Sequence, residues 1–172
     1  MTLEVRDLSF AYGTLPILKG SGFAPLKQGH LTALIGPNAS GKSTLFRSIA
    51  GLLKADGLVS LSGTMARKNL SGWRGTSEDT NAVAEALHGS RIGHLSEAYI
   101  SELSGGQAQM VSVAQALIRS SDVYLFDEPT SALDLNHQLR VLGQIRDAVA
   151  ERNAVGIVAI RDLNLAARFA GR

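Results

Sequence analysis

Apolar and polar residues alternate over residues 3–12, the period of a strand with one buried face. Residues 31–35 form a short apolar run that enters a glycine, as a buried strand does. Over residues 42–53 the period changes, and Leu45, Ile49 and Leu52 fall on one face of a helix. Residues 57–61 predict a further strand. The polar, glycine-rich stretch 63–75 predicts a loop. Segments 78–87 and 95–103 predict short helices, and 106–119 a longer one. Val123-Tyr124-Leu125-Phe126 predicts a strand. Over 134–149, Leu135, Leu139, Leu142, Ile145 and Val149 make one helical stripe that core packing explains. Residues 155–160 are apolar and rich in β-branched side chains and predict a strand, with a short helix after it. Strands and helices thus alternate through the second half, which implies an α/β domain with a parallel sheet.

The 172 residues suit one domain. With 45% hydrophobic and 19% charged residues, the chain can bury a core and is no disordered polyelectrolyte. The net charge is only +2, and no run of Lys and Arg forms the basic stripe of a nucleic-acid binder. The absence of cysteine excludes a disulfide scaffold and a thiolate metal site. The first residues lack the basic and apolar regions of a signal peptide. No apolar run reaches the roughly 18 residues of a membrane span, so a membrane role would come through a partner.

Gly36-Pro37-Asn38-Ala39-Ser40-Gly41-Lys42-Ser43 matches the P-loop pattern, between a predicted strand and a predicted helix. Such a loop directs several backbone N–H groups into one concavity, and the helix dipole adds positive potential there. Gly41 allows close approach to phosphate without a Cβ. Lys42 would place its ammonium on the β- and γ-phosphates, and the Ser43 hydroxyl suits Mg²⁺. Thr44 can reach the α-phosphate. Asp127 and Glu128 follow a hydrophobic strand, and ligands of open α/β sheets bind at the C-terminal strand ends. Asp127 suits Mg²⁺, through water, and Glu128 suits a general base that activates the attacking water.

Leu103-Ser104-Gly105-Gly106-Gln107 resembles the signature motif of ABC ATPases, and the run from Asp127 to Asp134 resembles that family's Walker B and D-loop. Tyr12 stands where the family's adenine-stacking aromatic stands. The resemblance covers nearly the whole chain. It implies a P-loop ATPase fold over residues 1–172, with a mostly parallel sheet flanked by helices. An N-terminal antiparallel β part and a reduced helical subdomain over about 76–119 would complete it. It further implies that ATP and Mg²⁺ are bound. Ser104, Gly105, Gly106 and Gln107 would act on ATP held by a second subunit, in a head-to-tail homodimer with Asp134 at the joint. Permease subunits embedded in the membrane, and a substrate-binding protein, are the implied partners. The implied location is peripheral, on the cytoplasmic face of a bacterial inner membrane. Residues 161–169 resemble the subgroup that imports iron–siderophore complexes, haem and cobalamin.

The chain departs from the family in four ways. Arg161 occupies the place of the switch histidine; it keeps positive donors but cannot exchange a proton as histidine does. His30, His88, His94 and His137 all lie elsewhere and read as surface or loop residues. No glutamine occurs between Gln28 and Gln107, where the Q-loop glutamine is expected, and Trp73-Arg74-Gly75-Thr76 reads as a deletion joint. The sequence stops at Arg172, where members of the family continue with further strands and a helix, and a sheet lacking that edge would be open to aggregation. Ala39 replaces a common glycine, at a cost of about 1–2 kcal/mol if its φ is positive.

The leading expectation is an ATP-hydrolysing importer subunit. A second is a binding module whose hydrolysis is impaired by Arg161 and the missing Q-loop. A third, an ABC-type ATPase of DNA repair or chromosome organisation, is disfavoured because the chain has no sustained heptads and no room for the long coiled-coil or accessory segments.

Overall fold

The computed structural model describes residues 1–62 and 99–170. Two three-stranded sheets organise them. β1 (Thr2–Tyr12), β2 (Leu15–Lys27) and β4 (Asp56–Ser62) form an antiparallel sheet in the order β2-β1-β4. β3 (His30–Ile35), β5 (Val123–Asp127) and β6 (Val155–Ile160) form a parallel sheet in the order β3-β6-β5. The helices are α1 (Lys42–Ile49), α2 (Gly105–Ile118), α3 (Leu135–Glu151) and α4 (Leu163–Ala170), with a 3₁₀ turn at Ile100–Glu102.

β6 explains the layering. It is the central strand, every one of its residues is buried, and its sequence is a continuous apolar run, as expected of a strand covered on both faces. Its side chains alternate between two cores. Val158 and Ile160 pack with Tyr124, Phe126, Leu142, Ile145, Val149 and Leu165, beneath α3 and α4. Val155, Ile157 and Ala159 pack with Phe46 of α1 and Leu3 of the antiparallel sheet. The result is an α/β sandwich. The antiparallel sheet and α1 cover one face of the parallel sheet, and α3 and α4 cover the other.

Three sequence expectations shift. The helix expected over 42–53 stops at Ile49, because Gly51 takes a left-handed φ of 70°. The Gly51 N–H donates to the Ser48 carbonyl at 3.0 Å and the Leu52 N–H to the Arg47 carbonyl at 2.8 Å. That pair is a Schellman stop, which turns Leu52 off the helix and leaves it exposed. Leu135 does not join its stripe: Asp134 caps α3, so Leu135 sits in the first turn and is exposed. Of the helix expected over 95–103, residues 99–103 lie among the described residues, and they hold a 3₁₀ turn at Ile100–Glu102 in place of an α-helix. The expectations at 63–75 and 78–87, the joint at Trp73–Thr76, and His88 and His94 lie outside them.

Strand β2 was not predicted. It is an edge strand, mostly exposed, with Pro16 and Pro25 along it. Proline is tolerated on edges, where an N–H need not join the ladder, and it disrupts the alternation by which a strand is read.

Candidate functional site

The parallel sheet delivers two carboxylates and a glycine-rich loop to one edge of the molecule. β3 ends at Ile35, and residues 36–41 turn into α1. The N-cap of α1 is Gly41, left-handed at φ 88°, with no side-chain cap. A Cβ at Gly41 would also meet Ile17 Cγ2 of β2 at 3.2 Å. Glycine is therefore required here by backbone conformation and by the approach of β2, in addition to any ligand. Ala39 has a φ of 60°, so the left-handed strain expected of it is present.

A cleft of about 570 Å³ opens at this loop. Residues Asn38, Ala39, Ser40, Gly41, Lys42, Ser43 and Thr44 form one wall, and Asp127, Glu128 and Arg161 form another. Ile17, Gln109 and Ser131 complete the lining. Lys42 is buried, and its ammonium donates to the carbonyls of Gly36 and Pro37, each at 2.8 Å. Those bonds fold the side chain back over its own loop, so that Nζ stands 3.8 Å from Glu128 Oε1. Thr44 is buried and Ser43 is exposed toward the cleft.

Glu128 follows β5, and its N–H donates to the Ala159 carbonyl at 3.2 Å, extending the register with β6. Its φ is 50°, uncommon for a non-glycine residue, and this turns the chain sharply out of the strand. The carboxylate lies between two cations, ion-paired to Arg161 and close to Lys42. The Arg161 hydrogen bond is the main cause holding the Glu128 carboxyl below the usual range; burial opposes it, and the charges of Arg161 and Lys42 reinforce it. The same pair raises the Arg161 guanidinium further. Ser43 and Asp127 both line the cleft, a hydroxyl and a carboxylate, hard oxygen donors of the kind Mg²⁺ takes alongside water and phosphate. Among the described residues, no three His, Cys, Asp or Glu side chains cluster as a metal cage.

Other predicted residues lie apart. Gly36 contributes its carbonyl to Lys42 but does not line the cleft. Tyr12 is 48% exposed at the end of β1, edge-on to Phe10 at 4.9 Å, and outside the cleft lining. Ser104, Gly105, Gly106 and Gln107 also lie outside it. Ser104 caps α2 in a reciprocal box: its hydroxyl accepts from the Gln107 N–H at 3.2 Å, and the Gln107 side chain accepts from the Ser104 N–H at 2.8 Å. A Cβ on Gly106 would meet Leu133 Cδ2 at 3.0 Å, so this turn packs against the loop after β5. Asp134 caps α3, and the His137 N–H is the main cause lowering its carboxyl. His137, expected on a surface or loop, sits in that helical turn with Nδ1 at 2.7 Å from Asp134. Gln109 and Ile17 were not predicted as lining residues. Both are ordinary members of their elements, and only the packing of those elements onto the loop brings them in.

The family model described as ABC transporter matches residues 24–76 and 59–131. A cobalamin import ATP-binding protein of Halobacterium salinarum is 31% identical over 204 aligned positions, which take in 98% of this chain and 51% of that protein. A hemin import ATP-binding protein of Roseobacter denitrificans is 33% identical over 208 positions, covering 99% of this chain and 79% of that protein. The chain thus spans about half the length of the first relative, and both alignments are longer than the chain itself, so it is shortened internally relative to them. A nucleotide-free ATP-binding cassette from an ABC transporter superposes with a TM-score of 0.84 at 20% identity, over 98% of this chain and 85% of that one.

Proposed function

Because the chain belongs to the ABC transporter family of ATP-binding domains, we propose that it binds ATP and hydrolyses it to energise import of a metal chelate of the iron–siderophore, haem or cobalamin class. The observation that carries the reading is the single cleft in which Lys42, Ser43, Asp127 and Glu128 meet. Residues 1–172 act in this reading as one ATPase domain with a shortened helical part. Partners are a second copy in the ATP-bound state, permease subunits in the membrane and a substrate-binding protein. The chain sits peripherally on the cytoplasmic face of a bacterial inner membrane. Among the described residues, no helix is long and apolar enough to cross a membrane, which suits attachment through a permease.

The chemistry follows from the cleft. Residues 38–44 wrap the phosphates with backbone N–H groups, and Lys42 exchanges the Gly36 and Pro37 carbonyls for phosphate oxygens. Ser43 and Asp127 would hold Mg²⁺, which neutralises phosphate charge when bound. Glu128 accepts a proton from a water as the water oxygen bonds to the γ-phosphorus. The bond from that phosphorus to the β–γ bridging oxygen breaks, and ADP leaves with it. Tyr12 stacks on adenine beyond the phosphates. Ser104, Gly105, Gly106 and Gln107 serve the partner's nucleotide.

A second reading has its own support. The Arg161–Glu128 ion pair ties up the carboxylate that must accept the proton, and a lowered carboxyl is a weaker base. In that reading the chain binds ATP but hydrolyses it poorly. Turnover of Mg-ATP by the purified protein, beside Arg161→His, separates the two. Turnover by the wild type supports the ATPase. Bound nucleotide without turnover, restored by Arg161→His, establishes the impaired module.

A further inference from the structure

Gln109 brings α2 to the cleft. Its carboxamide bridges α2 and the loop after β5. Nε2 donates to the Glu128 carbonyl at 2.8 Å and to the Ser131 hydroxyl at 3.2 Å, and Oε1 accepts from the Ala132 N–H at 2.9 Å. Donor and acceptor sides of the amide are both engaged, and the three partners bracket one turn of chain. That turn begins at Glu128, whose left-handed φ of 50° a glutamate adopts only when its surroundings impose it. The conformation also matters to the carboxylate, which reaches Lys42 and Arg161 from the turned backbone. Gln109 lies five positions after Ser104, little more than one helical turn from the capped end of α2. Gly106, in that same end, packs against Leu133 and the Ala132 carbonyl. The first turns of α2 and the loop carrying Glu128 therefore meet at two adjoining places.

We propose that Gln109 is a positioning residue: its carboxamide holds the Glu128 backbone in the left-handed turn that aims the carboxylate into the cleft, and so couples the seat of that carboxylate to the N-terminal end of α2. The proposal rests on Glu128 as the base. Whatever docks on the end of α2 then bears on Glu128 through one side chain. A Gln109 that merely joined two elements would contribute stability and leave the behaviour of Glu128 unchanged.

The test compares wild type, Gln109→Met and Gln109→Glu by kcat and KM for Mg-ATP and by thermal midpoint. A crystal structure of nucleotide-free Gln109→Met beside the wild type reads the Glu128 φ. Gln109→Met keeps the length and loses the hydrogen bonds; kcat is expected to fall about 10–100-fold, the scale set by small misplacements of reacting groups, with KM held. Gln109→Glu keeps the acceptor for Ala132 but turns a carboxylate oxygen toward the Glu128 carbonyl. Its kcat, low at neutral pH, recovers relative to wild type as acid protonates the new carboxyl and restores a donor. An unchanged kcat in both variants overturns the proposal, as does a loss of kcat, KM and thermal midpoint together without that pH-dependent recovery. If the wild type itself shows no turnover, the reading of Glu128 as a working base fails, and the backbone geometry alone decides. A Glu128 that leaves its left-handed φ in Gln109→Met then supports positioning, and an unchanged φ overturns it.

Discussion

The N-termini of α1 and α2 look alike in sequence and differ in structure. α1 follows a glycine-bearing turn and α2 opens on two glycines, and each reads as a place where helix N–H groups could meet an anion. At α1 the cap is a left-handed glycine that offers no side-chain acceptor, and the turn faces a cleft beside the buried Lys42. At α2, Ser104 and Gln107 close a complete capping box within the chain and lie outside that cleft. A helix end has several orphan N–H donors, and they can be given to a side chain or reserved for a ligand. The chain does the first at α2 and leaves the donors of α1 without a side-chain acceptor. The end of α1 gives up capping stabilisation and is suited to hold phosphate itself. The end of α2 is finished as structure, with Gly106 packed against Leu133 and the Ala132 carbonyl.

Substitutions can break or sharpen this contrast. The largest effect is expected at the carboxylate that faces α1. Glu128→Gln should reduce Mg-ATP turnover roughly 10²–10⁴-fold while nucleotide remains bound, measured by phosphate release beside equilibrium binding. Gly41→Ala must force a φ of 88° onto a residue with a Cβ and push against Ile17. It should cost about 1–2 kcal/mol in urea unfolding and weaken ATP binding as well. Ser104→Ala should cost about 1 kcal/mol of stability through the lost cap, with ATP affinity of the monomeric chain unchanged. If Ser104→Ala weakened monomer binding as much as Gly41→Ala, the contrast would be lost.

The smallest effect concerns pH. The Glu128 carboxyl is lowered in the folded chain, chiefly by Arg161. Its contribution to stability is therefore present above the unfolded carboxylate pKa and is lost as the pH falls through the lowered folded value. Arg161→Gln should flatten that acid limb in unfolding measured from neutral pH downward, with little change above it. The half-exposed guanidinium keeps the effect modest.

Periodicity in the sequence made the parallel sheet legible. β3, β5 and β6 are apolar runs because both faces are covered, and α3 shows its stripe because one face lies on β6. The P-loop and the Asp127–Glu128 pair were legible because their chemistry is local: residue types at fixed spacing beside a strand end. Three features were not. β2 hides because an edge strand with two prolines need not alternate. Leu52 misled because a left-handed Gly51, not apolar spacing, decides where α1 stops. Gln109 hides because its role depends on which loop α2 packs against, a contact between residues about twenty positions apart.

The most direct test of the account is calorimetric titration of Mg-ATP into the purified chain, with Lys42→Ala and Ser104→Ala measured alongside. The account predicts one site per chain in the wild type, an unchanged affinity in Ser104→Ala, and a loss of at least about tenfold in Lys42→Ala, the scale of a charge-assisted hydrogen bond. Binding that survives Lys42→Ala intact, or that Ser104→Ala abolishes in the monomer, would contradict it.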